Sequence, residues 1–134
     1  MLTLEAREIY RFFHIGDDET AALRGVSLSL FKGETVALMG PSGSGKSTLI
    51  SCLTGLDEPD GGAVTVSGVR LTRRPEGERA RLRAANFGIL LQSGNLFQHL
   101  SVAQNIRFQM MLAGRVDEAR LTSLIASVGL AHRA

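Results

Sequence analysis

The residues with the clearest chemical meaning form a glycine-rich run, Gly-Pro-Ser-Gly-Ser-Gly-Lys-Ser-Thr, at positions 40–48. Glycines let successive backbone amides turn inward around phosphate oxygens, and a helix that follows presents its positive end to the same anion. At this spacing Lys46 reaches the β- and γ-phosphates, and the Ser47 hydroxyl can ligate Mg²⁺. The run therefore predicts a nucleotide-phosphate site made by Gly40, Ser42, Gly43, Ser44, Gly45, Lys46, Ser47 and Thr48.

The segments on either side of this run are those that such a loop needs. Thr35–Met39 is a short apolar run between glycines, which is typical of a strand buried on both faces. Ser47–Leu56 follows the loop and is predicted as a helix that ends near Gly55. Phe87–Leu91 is predicted as a second buried strand.

The remaining pattern alternates between strand and helix signals, which indicates an α/β domain. Alternating apolar residues predict strands at Leu2–Ala6, Val26–Leu30 and Val64–Val66. Helix signals are a run of helix formers at Arg79–Ala85, a capping box at Ser101 and Gln104, and apolar spacing from Leu121 to Val128 that ends at Gly129.

Composition favours one soluble, cytoplasmic globular domain. The chain has 134 residues, 44% of them hydrophobic, with 15 basic and 13 acidic side chains. No apolar run is long enough for a spanning helix, and the N-terminus lacks the apolar stretch of a signal peptide. Cys52 is the only cysteine, so no internal disulfide can form. Aromatic and basic residues do not interleave as in single-strand binders, so no nucleic-acid partner is expected.

The segment from Arg70 to Arg83 concentrates positive charge, with six arginines and two glutamates. One interpretation is a docking patch for phosphate or an acidic partner. The other, which we favour, is a solvated helix face, because its charged residues are good helix formers.

Three segments together resemble the ATP-binding subunit of ABC transporters of the lipoprotein-releasing and macrolide-export type. They are the phosphate loop with its flanks (37–49), the turn Gly-Leu-Asp-Glu-Pro-Asp-Gly-Gly (55–62), and Leu82-Arg83 followed by Phe-Gly-Ile-Leu-Leu-Gln (87–92) and Asn95-Leu96. The resemblance implies a P-loop NTPase fold of the ABC ATPase type. Residues 1–134 would be the N-terminal portion of one ATP-binding domain, with an N-terminal β-rich part, an incomplete core sheet and the start of a helical subdomain.

The resemblance also implies roles for individual residues, with ATP and Mg²⁺ as the bound groups. Gln92 would be the glutamine of the Q-loop, which contacts Mg²⁺ or the attacking water; it would join Lys46 in catalysis and Ser47 in holding the metal. Phe13 would be the aromatic residue that stacks on adenine, with Tyr10 and Phe12 as competitors. The sequence departs from the subfamily at Leu91, where an aromatic residue is usual.

Several motifs of the same family do not occur in these 134 residues. There is no Leu-Ser-Gly-Gly-Gln, and no run of four apolar residues leads into Asp57-Glu58 or Asp117-Glu118. The signature, the Walker B aspartate, the catalytic glutamate and the switch histidine are therefore missing; His14, His99 and His132 do not match the switch position. We expect the chain to bind ATP without turning it over.

The resemblance implies partners as well: a membrane permease that meets the Gln92–Asn105 region, and a second ATP-binding subunit, at the cytoplasmic face of the membrane. The alternative is a non-catalytic nucleotide-binding or regulatory module that pairs with another chain. The amino-acid sequences of the turn at 55–62 and of the Q-loop disfavour an ABC ATPase of DNA maintenance. A GTPase is disfavoured because the only lysines are Lys32 and Lys46, so no Asn-Lys-x-Asp motif is present.

Overall fold

The helices and strands fall in two units, Met1–Asn86 and a second that starts at Phe87. The computed structural model describes residues 1–15, 18–40 and 45–133. In chain order the elements are β1 (Leu2–Ile15), β2 (Asp18–Phe31), α1 (Lys46–Thr54), β3 (Gly61–Val66), β4 (Val69–Arg70), α2 (Glu76–Asn86), α3 (Val102–Leu112), α4 (Glu118–Ser127) and a 3-10 turn, Ala131–Arg133.

The first unit contains an antiparallel sheet in the order β2-β1-β3-β4. The three strands expected from alternation are confirmed. β1 and β2 run well beyond the alternating residues and pair along most of their length, from Leu2 opposite Phe31 to Ile15 opposite Asp18. The residues beyond the alternating runs show no clear period-two pattern, but backbone hydrogen bonding does not depend on side-chain type.

β1 contains a bulge near its middle. Ala6 lies opposite Leu28 and Ile9 lies opposite Val26, so three steps along β1 match two steps along β2. Glu8, inside the bulge, has φ of 49°, a left-handed conformation that non-glycine residues adopt rarely. The bulge therefore adds one residue to β1 and reverses the alternation of its side chains beyond this point.

The reversal decides which residues of β1 face the core. Ile9 is fully buried, and Leu4 and Ala6 are buried before the bulge. Counting in twos from Ile9, Arg11 and Phe13 share its face, whereas Tyr10 and Phe12 lie on the opposite face and stack on each other with centroids 6.2 Å apart. The buried side chains of this sheet are Leu4, Ala6, Ile9, Leu23, Val64 and Val66.

The helix α1 covers part of this face and contacts β2. Leu49, Cys52 and Leu53 are its buried apolar residues. Full burial of each leucine side chain contributes about 1.5–3 kcal/mol, so these contacts are sufficient to fix a nine-residue helix that would not be stable alone. Burial also raises the pKa of the Cys52 thiol to about 11, so the thiol stays protonated at neutral pH.

Two segments predicted as buried strands are not strands. Thr35–Met39 and Phe87–Leu91 have no regular secondary structure, and Met39 and Leu90 are 89% and 87% exposed. A strand forms only where a neighbour satisfies its N–H and C=O groups. Among residues 1–15, 18–40 and 45–133, all ladder partners belong to β1–β4, so the predictions for these two segments were wrong.

The turn after α1 is tied to the sheet by charge. Asp57, Glu58 and Asp60 form this acidic turn. Arg11 Nε and Nη2 donate to the two Asp57 oxygens at 2.8 and 3.3 Å, and its Nη1 donates to Asp60 at 3.2 Å. The Phe12 amide also donates to Asp60, at 2.7 Å. Forked arginine–carboxylate pairs hold geometry well, so the end of α1 is fixed against β1.

The arginine-rich segment is mostly engaged within the first unit, and the favoured interpretation of a solvated helix face was wrong for Arg79 and Arg83, whose side chains are 15% and 18% exposed. Arg79 pairs with Glu58 and Glu76, and Arg83 pairs with Glu76. Both arginines also donate to the Gly55 carbonyl, at 3.3 and 2.9 Å. They supply positive charge at the C-terminal end of α1, where the helix dipole favours it.

The second unit is built on α3 and α4. The predicted capping box is confirmed, because Ser101 and Gln104 bond each other's backbone amides. Arg107 on α3 donates two bonds to Glu118 on α4, at 2.8 and 3.1 Å. Gly129 follows α4 with φ of 75°, as a C-terminal glycine should. None of the helices in the described ranges combines the length and apolar character needed to cross a bilayer.

Substitution of Gly62 tests the bulge. Gly62 has φ of 88°, and a Cβ there would overlap the carbonyl oxygens of Arg7 and Glu8. Gly62→Ala should lower the free energy of unfolding by roughly 2–4 kcal/mol. Gly77→Ala is the matched control, since a Cβ at Gly77 meets no atom and alanine favours helix. Urea unfolding measures both; equal effects would contradict the close approach.

Asp60 predicts an acid-dependent contribution to stability. Its pKa lies below the ordinary value of 3.8, first because the Phe12 amide bonds the carboxylate and then because Arg11 does. The contribution is therefore present above about pH 4 and is lost as pH falls through the lower folded-state pKa. Asp60→Asn should cost about 1 kcal/mol at pH 7, after allowance for screening, and progressively less as pH falls below about 4. Urea unfolding against pH measures the difference, and a constant difference would contradict the assignment.

Candidate functional site

The N-terminus of α1 has the local features of an anion-binding helix end. Its N-cap is Gly45, with φ of 94° and no side chain that caps the helix, and no acidic residue lies in the first turn. The first amides of a helix have no acceptor within the helix, and in α1 these are the amides of Lys46, Ser47 and Thr48. Phosphate oxygens match this arrangement of donors and positive dipole.

Gly45 brings this helix end directly against β2. A Cβ on Gly45 would lie 2.7 Å from the Ala22 carbonyl oxygen and 3.4 Å from a Leu23 methyl carbon. No side chain larger than hydrogen fits such an approach, and the φ value also requires glycine. The N-terminal end of α1, where phosphate binding is predicted, is therefore held against β2 at Ala22 and Leu23.

The remaining phosphate-loop residues divide between described and undescribed positions. Lys46 Nζ donates to the Gly40 carbonyl oxygen, which joins the two ends of the loop. Ser47 is exposed at the first turn of α1, and Thr48 is half-buried. Ser42, Gly43 and Ser44 were also predicted as phosphate-binding residues and lie outside the described residues.

Phe13 lies near the same point of the hairpin. It faces Thr20 across the sheet, and Thr20 is two residues from Ala22, roughly 7 Å along β2. The ring is 39% exposed, and the Arg11 guanidinium carbon lies 4.6 Å from its centroid. Of the three aromatic candidates, Phe13 shares the face of α1, while Tyr10 and Phe12 lie on the other face.

Of the two residues expected to hold Mg²⁺, Ser47 fits a weakly held, nucleotide-dependent ion. Within the described residues no cluster of three acidic, histidine or cysteine side chains could form a metal site alone. Mg²⁺ keeps several waters and commonly takes its other ligands from substrate phosphates and one or two protein oxygens. The exposed Ser47 hydroxyl beside the anion site is a suitable protein ligand.

Gln92 belongs to the second unit, in an exposed loop. The loop is closed by Asn95, whose side-chain oxygen accepts from the Leu91 amide at 2.7 Å and whose Nδ2 donates to the Leu91 carbonyl at 2.7 Å. Asn105 on α3 fixes the following residues in the same way, with bonds to both backbone groups of Phe97. Gln92 thus lies in a short loop whose ends are held together by the Asn95 side chain.

The contacts of four residues that bear on the sites were not predicted from the sequence: Arg11, Asp57, Asp60 and Asn95. Arg11 and Asp57 are 46 positions apart, and no local pattern links them. The Asp57–Asp60 turn was noticed only as part of a resemblance. Asn95 lies four residues after the backbone groups that it bonds, a spacing that many loops share.

Comparison with known protein families and curated proteins identifies relatives along the whole chain. The family model described as ABC transporter matches residues 23–134. The lipoprotein-releasing system ATP-binding protein LolD 1 of Caulobacter vibrioides is 39% identical over 97% of this chain and 57% of its own length. The macrolide export ATP-binding/permease protein MacB of Burkholderia pseudomallei is 39% identical over 98% of this chain and 20% of its own length.

Solved structures agree with this assignment. A dimeric ATP-binding cassette in a post-hydrolysis state, bound to ADP and phosphate, superposes with a TM-score of 0.82 at 27% identity, covering 92% of this chain and 54% of that one. The chain thus spans a little over half the length of LolD relatives and of this cassette. The observed sheet and four helices make up an incomplete, N-terminal portion of the P-loop NTPase fold. On these matches, the chain belongs to the ABC transporter family, with relatives among ATP-binding subunits of the lipoprotein-releasing and macrolide-export type.

Proposed function

We propose that the chain is the nucleotide-binding portion of an ABC-type export ATPase, corresponding to the N-terminal portion of one ATP-binding domain. The observation that carries the proposal is the N-terminus of α1. Its N-cap, Gly45, is in a left-handed conformation and provides no capping side chain, and Lys46 is the first residue of the helix. The first three amides of the helix, the positive end of the helix dipole and the ammonium group of Lys46 all belong to this end of α1. A triphosphate provides the negative charge that this arrangement lacks.

The adenine base of the bound nucleotide would stack on the ring of Phe13. The ring is exposed, lies on the face of α1, and is a short distance along the hairpin from Ala22, against which the phosphate site packs. Stacking on an aromatic face supplies affinity for adenine that is independent of the phosphates. One bound nucleotide would then contact both the hairpin and α1.

Mg²⁺ would be held by Ser47 and the nucleotide phosphates, with Gln92 as a further oxygen ligand. When bound, the ion would neutralise phosphate charge and favour attack by water on the γ-phosphate. Lys46 and the loop amides would stabilise the charge that develops on the phosphoryl oxygens. Gln92 would hold the attacking water or the ion through its side-chain oxygen.

The partners proposed are a membrane permease and a second ATP-binding subunit, at the cytoplasmic face of the membrane. A MacB relative is described as an ATP-binding/permease protein, and the superposed cassette is a dimer. The permease would bind the Gln92–Asn105 region. In this region the side chain of Leu96 is 72% exposed, directly after the loop that contains Gln92. An apolar side chain in that position suits a protein contact better than water.

Lys46→Ala tests nucleotide binding. The loss of a charge-assisted contact worth about 1.5–3 kcal/mol should weaken binding of Mg-ATP roughly 10- to 150-fold. Lys32→Ala is the matched control, because Lys32 is the other lysine of the sequence and lies in the turn after β2. Calorimetric titration gives both affinities. Equal affinity of Lys46→Ala and the unchanged chain would refute the phosphate-site assignment.

Turnover is a separate prediction. The sequence contains no Walker B aspartate, catalytic glutamate or signature motif, and a general base alone contributes about 10²–10⁴-fold. The 134-residue chain should therefore release no phosphate above the Lys46→Ala background at saturating Mg-ATP. Phosphate release by the 134-residue chain that the Lys46→Ala substitution abolishes would contradict this prediction.

Adding a polypeptide that carries the signature, Walker B and switch segments separates the proposal from its alternative. Release should then appear if the chain is part of an export ATPase. A non-catalytic or regulatory module would continue to bind Mg-ATP in the mixture without turnover.

A further inference from the structure

The side chain of Arg11 makes two kinds of contact at once. Its guanidinium carbon lies 4.6 Å from the centroid of the Phe13 ring, within the range of a cation–π contact. The same guanidinium bonds Asp57 twice and Asp60 once, and it donates to the Phe12 carbonyl at 3.1 Å. The charged group of Arg11 therefore bridges the acidic turn and the Phe13 ring.

These bonds leave Arg11 little freedom. Its side chain is only 22% exposed, and Nε, Nη1 and Nη2 each have an acceptor. The two carboxylates raise the pKa of Arg11, so the group stays charged over the accessible pH range. A planar guanidinium held on three sides has a fixed plane, and an aromatic ring packed on that plane is restricted in turn.

A restricted ring is a better platform for a base. Ordering one rotamer-rich side chain on binding costs about 0.5–1.5 kcal/mol, and a ring that is already ordered avoids this cost. Phe13 is at the exposed end of β1, where the pairing with β2 alone would leave its side chain free to change rotamer. Arg11 covers one side of the ring, and the exposed part remains for the ligand.

We propose that Arg11 is a positioning residue that orders the Phe13 ring for stacking on a nucleotide base and couples that ring to the end of the phosphate-binding helix. The inference rests on the proposed function, because it needs Phe13 to be the base-stacking residue. Arg11 itself contacts the ring and the acidic turn, and the phosphates bind at the other end of α1. Its loss should weaken recognition of the base and leave recognition of the phosphates unchanged.

The test compares the affinity for Mg-ATP with the affinity for inorganic tripolyphosphate, which has no base. Arg11→Gln should weaken Mg-ATP about two- to fivefold and leave tripolyphosphate within experimental error. Asp57→Asn should act in the same direction, because it removes the two-bond anchor of Arg11. Arg24→Gln is the matched control: Arg24 is exposed on β2 opposite Tyr10, on the other face, and should change neither affinity.

Four other outcomes are possible, and each has a separate meaning. Equal weakening of both ligands by Arg11→Gln would show that Arg11 only maintains the acidic turn, and no change in either would show no role; both overturn the inference. If Phe13→Ala abolishes the preference for ATP while Arg11→Gln keeps it, the inference alone fails. If the unchanged chain binds neither ligand, the proposed function fails first.

A measurement on the unchanged chain covers the case in which Arg11→Gln does not fold. The Arg11 Nε–H group is bonded to Asp57, so its proton should exchange slowly enough to give an NMR signal. Mg-ATP should shift this signal because a base stacks on the adjacent ring, and tripolyphosphate should not. A signal that responds to both ligands alike, or to neither, would overturn the inference.

Discussion

The bonds from Arg11 to Asp57 and Asp60 connect the C-terminal end of α1 to β1. α1 has nine residues and is too short to be stable alone, and its two ends are fixed by different means. At the N-terminus Gly45 packs against the Ala22 carbonyl, and at the C-terminus the acidic turn is held by Arg11. The helix end proposed to bind phosphate and the strand that carries Phe13 are thereby connected through α1.

The bulge at Glu8 is the second constraint, because it determines which side chains of β1 lie on the buried face of the sheet. Without the extra residue, the face that buries Leu4 and Ala6 would continue through Tyr10 and Phe12. With it, the same face continues through Ile9 to Arg11 and Phe13. One left-handed residue therefore places the arginine that anchors α1 and the ring proposed to stack on the base on the same side of the sheet.

The sequence could predict what is encoded locally. The phosphate loop, the capping box at Ser101 and the C-terminal glycine of α4 each depend on residues within one turn of helix or one loop. It could not predict the face of Phe13, since the bulge shows no signal in alternation, nor the Arg11–Asp57 pair, which joins distant positions. Thr35–Met39 and Phe87–Leu91 were mispredicted because apolar composition indicates a strand only when a neighbouring strand is available.

The central claim is that one nucleotide contacts both the start of α1 and the face of β1 that carries Phe13. Mapping of ¹⁵N amide shifts tests it directly, by titration of the labelled chain first with tripolyphosphate and then with Mg-ATP. The account predicts that tripolyphosphate shifts the amides of Gly45, Lys46 and Ser47, and that Mg-ATP shifts these and Phe13 but leaves the opposite face of the hairpin unchanged. Mg-ATP shifts confined to residues outside α1 and β1 would contradict the account.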